Sequence, residues 1–139
     1  MLRREHFFTR KLICDALAIC NGQRDAVSFG NLKVSRDIGY APKYVEAMWR
    51  MLQQDQPYDF LICSGRSVTL RQLVEHVFAR LGISLDQIQI DQRLFRPSDI
   101  TDIYGSNEMA RTKLSWDYEL TAFDVMDLIL KETPENQLS

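Results

Sequence analysis

Arg36 lies in the segment GNLKVSRDIGY at residues 30–40, and Arg96 lies in DQRLFRPSD at residues 91–99, each close to glycine or proline. Such settings read as loops, where a side chain can point into a cleft while flanking elements hold its backbone still. A planar guanidinium donates two parallel hydrogen bonds to carboxylate or phosphate oxygens. Two of them aimed at one point suit a compact diphosphate such as that of a nucleoside diphosphate. The plainer alternative for each is a solvated charge or an ion pair, for Arg36 with acidic neighbours.

Other chemistry has less support. Cys14, Cys20 and Cys63 are odd in number and show no CxxC or mixed Cys/His spacing. Neither a disulfide framework nor a metal site follows, and buried free thiols are expected. His6 and His76 are isolated, His76 reading as partly exposed beside Glu75. Asp124, Asp127 and Glu132 read as a solvated helix face rather than a paired-carboxylate site. No tyrosine is followed four residues later by lysine, and no G-x-x-G-x-x-G occurs.

The elements that position these residues are legible in the hydrophobic spacing. Phe8, Leu12, Ile13, Ala16, Leu17 and Cys20 predict a helix over 8–21 stopped by Gly22, and 26–29 reads as a strand before a Gly30-Asn31 turn. Pro42 opens a second helix with Val45, Met48, Trp49 and Leu52 on one face. Residues 60–63, FLIC, read as a strand buried on both faces of a parallel sheet. Thr69 and Gln72 form a capping box for a helix ending at Gly82, Ile88 and Ile90 alternate as a strand, and 106–114 and 121–131 read as helices before a tail at 132–139. Met48, Met51, Met109, Met126, Trp49 and Trp116 are assigned to packing. The order α-β-α-β-α-β-α-α makes a mixed α/β partial domain with too few strands for a complete doubly wound sheet.

The chain has 139 residues, 45% hydrophobic and 26% charged, which suits one folded domain rather than disorder. A net charge of -2 supplies no global positive field, so nucleic acid is not an expected partner. No apolar run approaches a membrane span, and no signal peptide is apparent, so a cytoplasmic location is expected.

Four blocks carry a family resemblance: FFTRK at 7–11, GNLKVSRDIGYAPKYVEAMW at 30–49, WRMLQQDQPYDF at 49–60 and DQRLFRPSD at 91–99. In order and spacing they resemble the GDP-mannose 4,6-dehydratases, extended short-chain dehydrogenase/reductases with a Rossmann-type fold. The placement puts Met1 after the family's dinucleotide loop and Tyr-x-x-x-Lys pair, so residues 1–139 correspond to its C-terminal, nucleotide-sugar-binding portion, without the N-terminal dinucleotide-binding segment.

The resemblance implies that Arg36 and Arg96 hold the diphosphate, that Thr9 and Lys11 lie beside the nucleotide, and that Asp99 stands for a Glu bonding the ribose hydroxyls. It places Asn31 in the turn before the diphosphate loop and Arg3 in a loop that in tetrameric relatives approaches a neighbour's NADP. NADP is the parent family's cofactor, and none is expected to be held by this chain alone. Ile38, Lys43 and Leu94 depart from a family aromatic, an Asp and a Tyr. Three readings stand: a dehydratase piece acting on GDP-mannose with a complementary N-terminal half, a noncatalytic GDP-sugar-binding module, or an interaction domain that has lost its ligand. Each implies self-association or a partner, because the 60–63 strand expects neighbours.

Overall fold

The structure, a computed structural model, describes residues 7–133; Arg3, Arg4, Glu5 and His6 lie outside them. Helices α1 (Phe8–Cys20), α2 (Ala41–Met51), α3 (Leu70–Leu81), α4 (Glu108–Leu114) and α5 (Ala122–Glu132) alternate with short strands β1 (Val27–Phe29), β2 (Ser35–Asp37), β3 (Ser67–Thr69), β4 (Ile88–Ile90) and β5 (Asp102–Ile103). This is the expected mixed α/β partial domain. Among the described residues no helix is long and apolar enough to cross a membrane, and no group of three or more His, Cys, Asp or Glu could hold a metal.

The helices form where local signals put them. Thr69 and Gln72 make the capping box of α3, which ends at Gly82 with φ +69°. Pro42 sits in the first turn of α2. A second capping box, Thr121 with Asp124, opens α5, so Asp124, exposed as expected, also caps the helix.

The strands build two small sheets. β1 and β4 pair in parallel, with Val27 opposite Ile88, while β2 lies between antiparallel β3 and parallel β5. Sequence spacing misses β2, β3 and β5. β2 is Ser-Arg-Asp, with no apolar alternation to announce it, and its ladder is supplied by residues thirty or more positions away.

Two apolar clusters organise the molecule. In the first, α3 packs on α1 and α5, and Leu12, Ile13, Ala16, Leu73, Val74, Val77, Phe78 and Met126 are fully buried beside Val27 and Phe29. The second joins α2 to α4 through Ala47, Ala110, Leu114, Trp116 and Tyr118, with Tyr44, Met51, Phe60 and Ile62 packed against it.

Four readings need correction. Residues 60–63 form no strand: the segment is irregular, bends at Cys63 and joins no ladder among the described residues, with Leu61 57% exposed. Phe60 and Ile62 face the second cluster, while Leu61 and Cys63 lie against Gly105. No described strand lies alongside to supply a ladder, so the apolar run has no sheet to enter. Likewise the stripe of α2 read as a packing face points outward: Val45, Met48 and Trp49 are 56–61% exposed and Leu52 is 82%. The opposite face, Tyr44, Ala47 and Met51, is the one that packs. Met109 is also exposed, whereas Trp116 and Met126 are the core residues expected. Cys63 is buried as expected, but Cys14 is only partly buried and Cys20 is exposed.

Candidate functional site

A cleft of about 770 Å³ runs along α1 and is closed by β1, β2 and the loops that follow β4. Its α1 wall is built from Arg10, Lys11, Cys14, Asp15 and Ala18, positions that helical spacing places on one face. Five cationic side chains (Arg10, Lys11, Arg24, Arg36 and Arg96) line it against two carboxylates, Asp15 and Asp99. In a chain whose net charge is -2, positive charge is therefore concentrated here.

Of the residues singled out by sequence, Lys11, Asn31, Arg36, Arg96 and Asp99 all line this one cleft. Thr9 does not: it is 3% exposed, turned inward, and its Oγ1 has no hydrogen-bond partner among the described residues. Arg3 lies outside the described residues.

Arg36 sits on β2 rather than in a loop, and the strand fixes its direction. Its guanidinium donates through Nη1 to the carbonyls of Ser35 at 2.6 Å and Ile100 at 2.8 Å, and through Nη2 to Asp99 Oδ1 at 3.2 Å. The plainer alternative, an acidic partner, is thus realised with another candidate ligand residue. The pair is partly buried, at 23% and 19% side-chain exposure, and bridges β2 to the loop before β5. The remaining N–H donors are free to meet an outside acceptor.

Neighbouring Asp37 points the other way, as strand alternation requires, and accepts from the backbone N–H groups of Ser64 at 3.1 Å and Gly65 at 3.0 Å. Arg and Asp, adjacent in sequence, therefore serve the cleft and the scaffold respectively. Arg96 is exposed at the cleft and makes no ion pair among the described residues. Its loop is held by the 3₁₀ turn Gln92–Leu94, which Asp91 caps, and by the backbone of Gly30. A Cβ on Gly30 would stand 2.8 Å from the Leu94 carbonyl oxygen, so only glycine lets β1 and this loop close together. Arg93 beside Asp91 holds that carboxyl below its usual range.

Lys11 donates to Asp15 Oδ2 at 2.5 Å and to the Ser28 carbonyl at 2.9 Å, and its ammonium lies 4.7 Å from the centre of the Phe29 ring. Asp15 also accepts from Arg24 at 2.8 Å. Sequence reasoning missed Asp15 and Arg24. The Lys11–Asp15 spacing of four on a helix was a readable sign of the first, but nothing local announced the second. Asn31 serves its turn, accepting from the Lys33 N–H at 3.0 Å.

His76, read as isolated, lies 2.9 Å from Asp127, which Arg80 also approaches at 3.2 Å. This cluster ties α3 to α5 and lies away from the cleft. Tyr40 similarly donates to Glu132 at 2.9 Å, so Asp127 and Glu132 both serve contacts within the fold.

Comparison with known proteins agrees with the four blocks. The model of the family described as GDP-mannose 4,6 dehydratase matches residues 1–129. The chain is 38% identical over 115 residues to GDP-mannose 4,6 dehydratase 2 of Arabidopsis thaliana and 32% identical over 149 residues to the GDP-mannose 4,6-dehydratase of Sinorhizobium fredii. Those alignments cover 82% and 94% of this chain but only 31% and 42% of the relatives' lengths. Among solved structures, the RMD of Pseudomonas aeruginosa complexed with NADPH superposes with a TM-score of 0.83 at 20% identity, covering 94% of this chain and 43% of that one. The dTDP-glucose 4,6-dehydratase of Bacillus anthracis in complex with NAD gives 0.78 at 13% identity, covering 93% and 39%. At those identities the structural likeness speaks for the fold, while the sequence matches over most of the chain speak for ancestry. The chain belongs to the GDP-mannose 4,6-dehydratase family and spans about a third of the length of its curated relatives.

Proposed function

We propose that the cleft binds a GDP-sugar through its diphosphate, with Arg36 and Arg96 as the principal donors, Lys11 and Asn31 beside the nucleotide, and Asp99 accepting from the ribose hydroxyls. The observation that carries this reading is that Arg36 and Arg96, far apart in sequence, line one cleft in which cations outnumber carboxylates. A diphosphate brings about two negative charges and several acceptor oxygens, so it outcompetes the single Asp99 carboxylate for Arg36 without requiring Arg36 to move. Thr9, shielded from the cleft, takes a structural role at the start of α1.

Binding is tested by calorimetric titration with GDP and GDP-mannose. Arg36→Ala and Arg96→Ala should each weaken binding by about tenfold or more, as loss of a charge-assisted hydrogen bond does. Absence of heat at millimolar ligand would dispose of the site.

For the whole protein we propose the family activity, conversion of GDP-mannose to GDP-4-keto-6-deoxymannose and water. Among the described residues, those lining the cleft do not fit a nicotinamide dinucleotide. The cleft's glycine, Gly30, is closed against Leu94 rather than open to a phosphate, and α3 begins with its capping box already satisfied. The hydride chemistry belongs to a cofactor-binding part outside these residues. The GDP-sugar half holds and orients the substrate.

The outward stripe of α2, with Val45, Met48, Trp49 and Leu52 exposed, supports docking of that complementary part. Mixing the chain with a separately produced N-terminal portion of a family member should yield 4-keto sugar that neither piece makes alone. No product from a mixture that demonstrably associates would refute the assignment.

A further inference from the structure

We infer that Asp15 is a built-in anion that occupies Lys11 and Arg24 and thereby limits how much negative charge a ligand of the cleft can carry, an inference that rests on the cleft's proposed use for a nucleoside diphosphate. Lys11 comes from α1 and Arg24 from the turn that follows it, and both converge on one carboxylate. Lys11 Nζ lies 2.5 Å from Oδ2 and Arg24 Nη1 lies 2.8 Å from Oδ1. Two cations gripping two oxygens of one anion is an arrangement that a phosphate group could equally complete. Here the chain supplies the anion itself. Asp15 is only 7% exposed, so water shields its charge poorly and it acts strongly at close range.

The neighbouring contacts keep this pair of cations from serving a ligand. Lys11 also donates to the Ser28 carbonyl at 2.9 Å and faces the Phe29 ring at 4.7 Å, which leaves its ammonium little capacity for another acceptor. Arg24 has 56% of its side chain exposed, yet its guanidinium is turned onto Asp15. On the other side of the cleft Asp99 is paired with Arg36. A ribose that bonds to Asp99, with Lys11 beside it, therefore lies between two carboxylates. A phosphoryl group on that ribose meets Asp99 on one side and, on the other, two cations whose charge Asp15 already offsets. The ligand selected is a nucleoside diphosphate with an unmodified ribose, and a ribose-phosphorylated nucleotide gains nothing from its additional charge. A mere tie between α1 and the following turn would predict only lost stability on changing Asp15. An internal anion predicts a gain of binding.

The test is a calorimetric titration of the wild-type chain and of Asp15→Asn with GDP and with guanosine 3′,5′-bisdiphosphate, which carries a second diphosphate on the ribose. Wild type should bind the two within about threefold of each other. Asp15→Asn keeps the size of the side chain and removes its charge. It should bind the bisdiphosphate about tenfold or more tightly than wild type does, and GDP by no more than about threefold. A gain confined to the ligand with the additional phosphates is not something a loosened fold produces. An Asp15→Asn protein whose two affinities are unchanged, or change by one common factor, overturns this inference and leaves the proposed function standing. So does a wild type that already prefers the bisdiphosphate by about tenfold or more. No heat from wild type with either ligand overturns both. A salt series on wild type decides the matter even if the variant folds poorly. From about 50 to about 300 mM salt the two affinities should fall in parallel, because the second diphosphate engages no further cation, and a steeper fall for the bisdiphosphate overturns the inference.

Discussion

The half of the molecule built on α1, α3 and α5 and the half built on α2 and α4 treat their apolar surface differently. In the first, eight helix side chains reach complete burial, and the face of α1 away from that core becomes a charged cleft wall. In the second, α2 packs through Tyr44, Ala47 and Met51 and sends its bulkier stripe, Val45, Met48, Trp49 and Leu52, into the open. The first half closes its core and lines the cleft proposed for the ligand. The second leaves an apolar stripe uncovered among the described residues, the surface proposed for docking. The same hydrophobic periodicity on α1 and α2 thus has two fates, decided by what lies opposite.

The largest effect that would sharpen this contrast comes from the closed core. Phe78→Ala should cost about 3–5 kcal/mol in urea denaturation and lower the melting temperature of the whole chain, because its ring is 0% exposed at the junction of α1, α3 and α5. A loss below about 1 kcal/mol would mean that this core is not the stabilising centre.

Alkali should act on the other half. Burial raises the phenols of Tyr44 and Tyr118, with the charge on Asp37 adding to the effect in both. A group whose folded value lies above its unfolded value, ordinarily 10.0, contributes stability that is present below that pH and is lost as pH rises toward the folded value. Trp116, 6.1 Å from the Tyr44 ring and 5.8 Å from that of Tyr118, should report the opening by fluorescence in a Trp49→Phe background. Tyr44→Phe should reduce the alkaline sensitivity of the second half. Simultaneous loss of α1 and α3 helicity over the same pH range would erase the distinction between the halves.

The smallest effect on stability and the clearest on assembly belongs to the outward stripe. Met48→Ala with Trp49→Ala should change unfolding free energy by about 0.5 kcal/mol or less per site, since neither side chain is buried. It should nevertheless lower the light-scattering mass of a self-associated chain, or weaken capture of the complementary part. Unaltered association in that double variant would move the interface elsewhere.

What could be read without coordinates was local. The Thr69–Gln72 box, Pro42 at the start of α2, Gly82 at the end of α3 and the spacing of α1 all act within a few residues, through hydrogen bonds and side-chain contacts along one turn, so the order of residues alone determined them. The four motif blocks likewise located Arg36, Arg96 and their family without any fold. Tertiary structure alone decided that Ser35–Asp37 is a strand, that Arg36 meets Asp99 across a separation of 63 residues, and that Asp15 bridges Lys11 and Arg24 in the cleft. It also decided which stripe of α2 turns outward. A polar strand or a charge pair has no period of its own. Its energy comes from whichever distant backbone or side chain the packing brings opposite, and an apolar stripe is buried only where another surface exists to cover it.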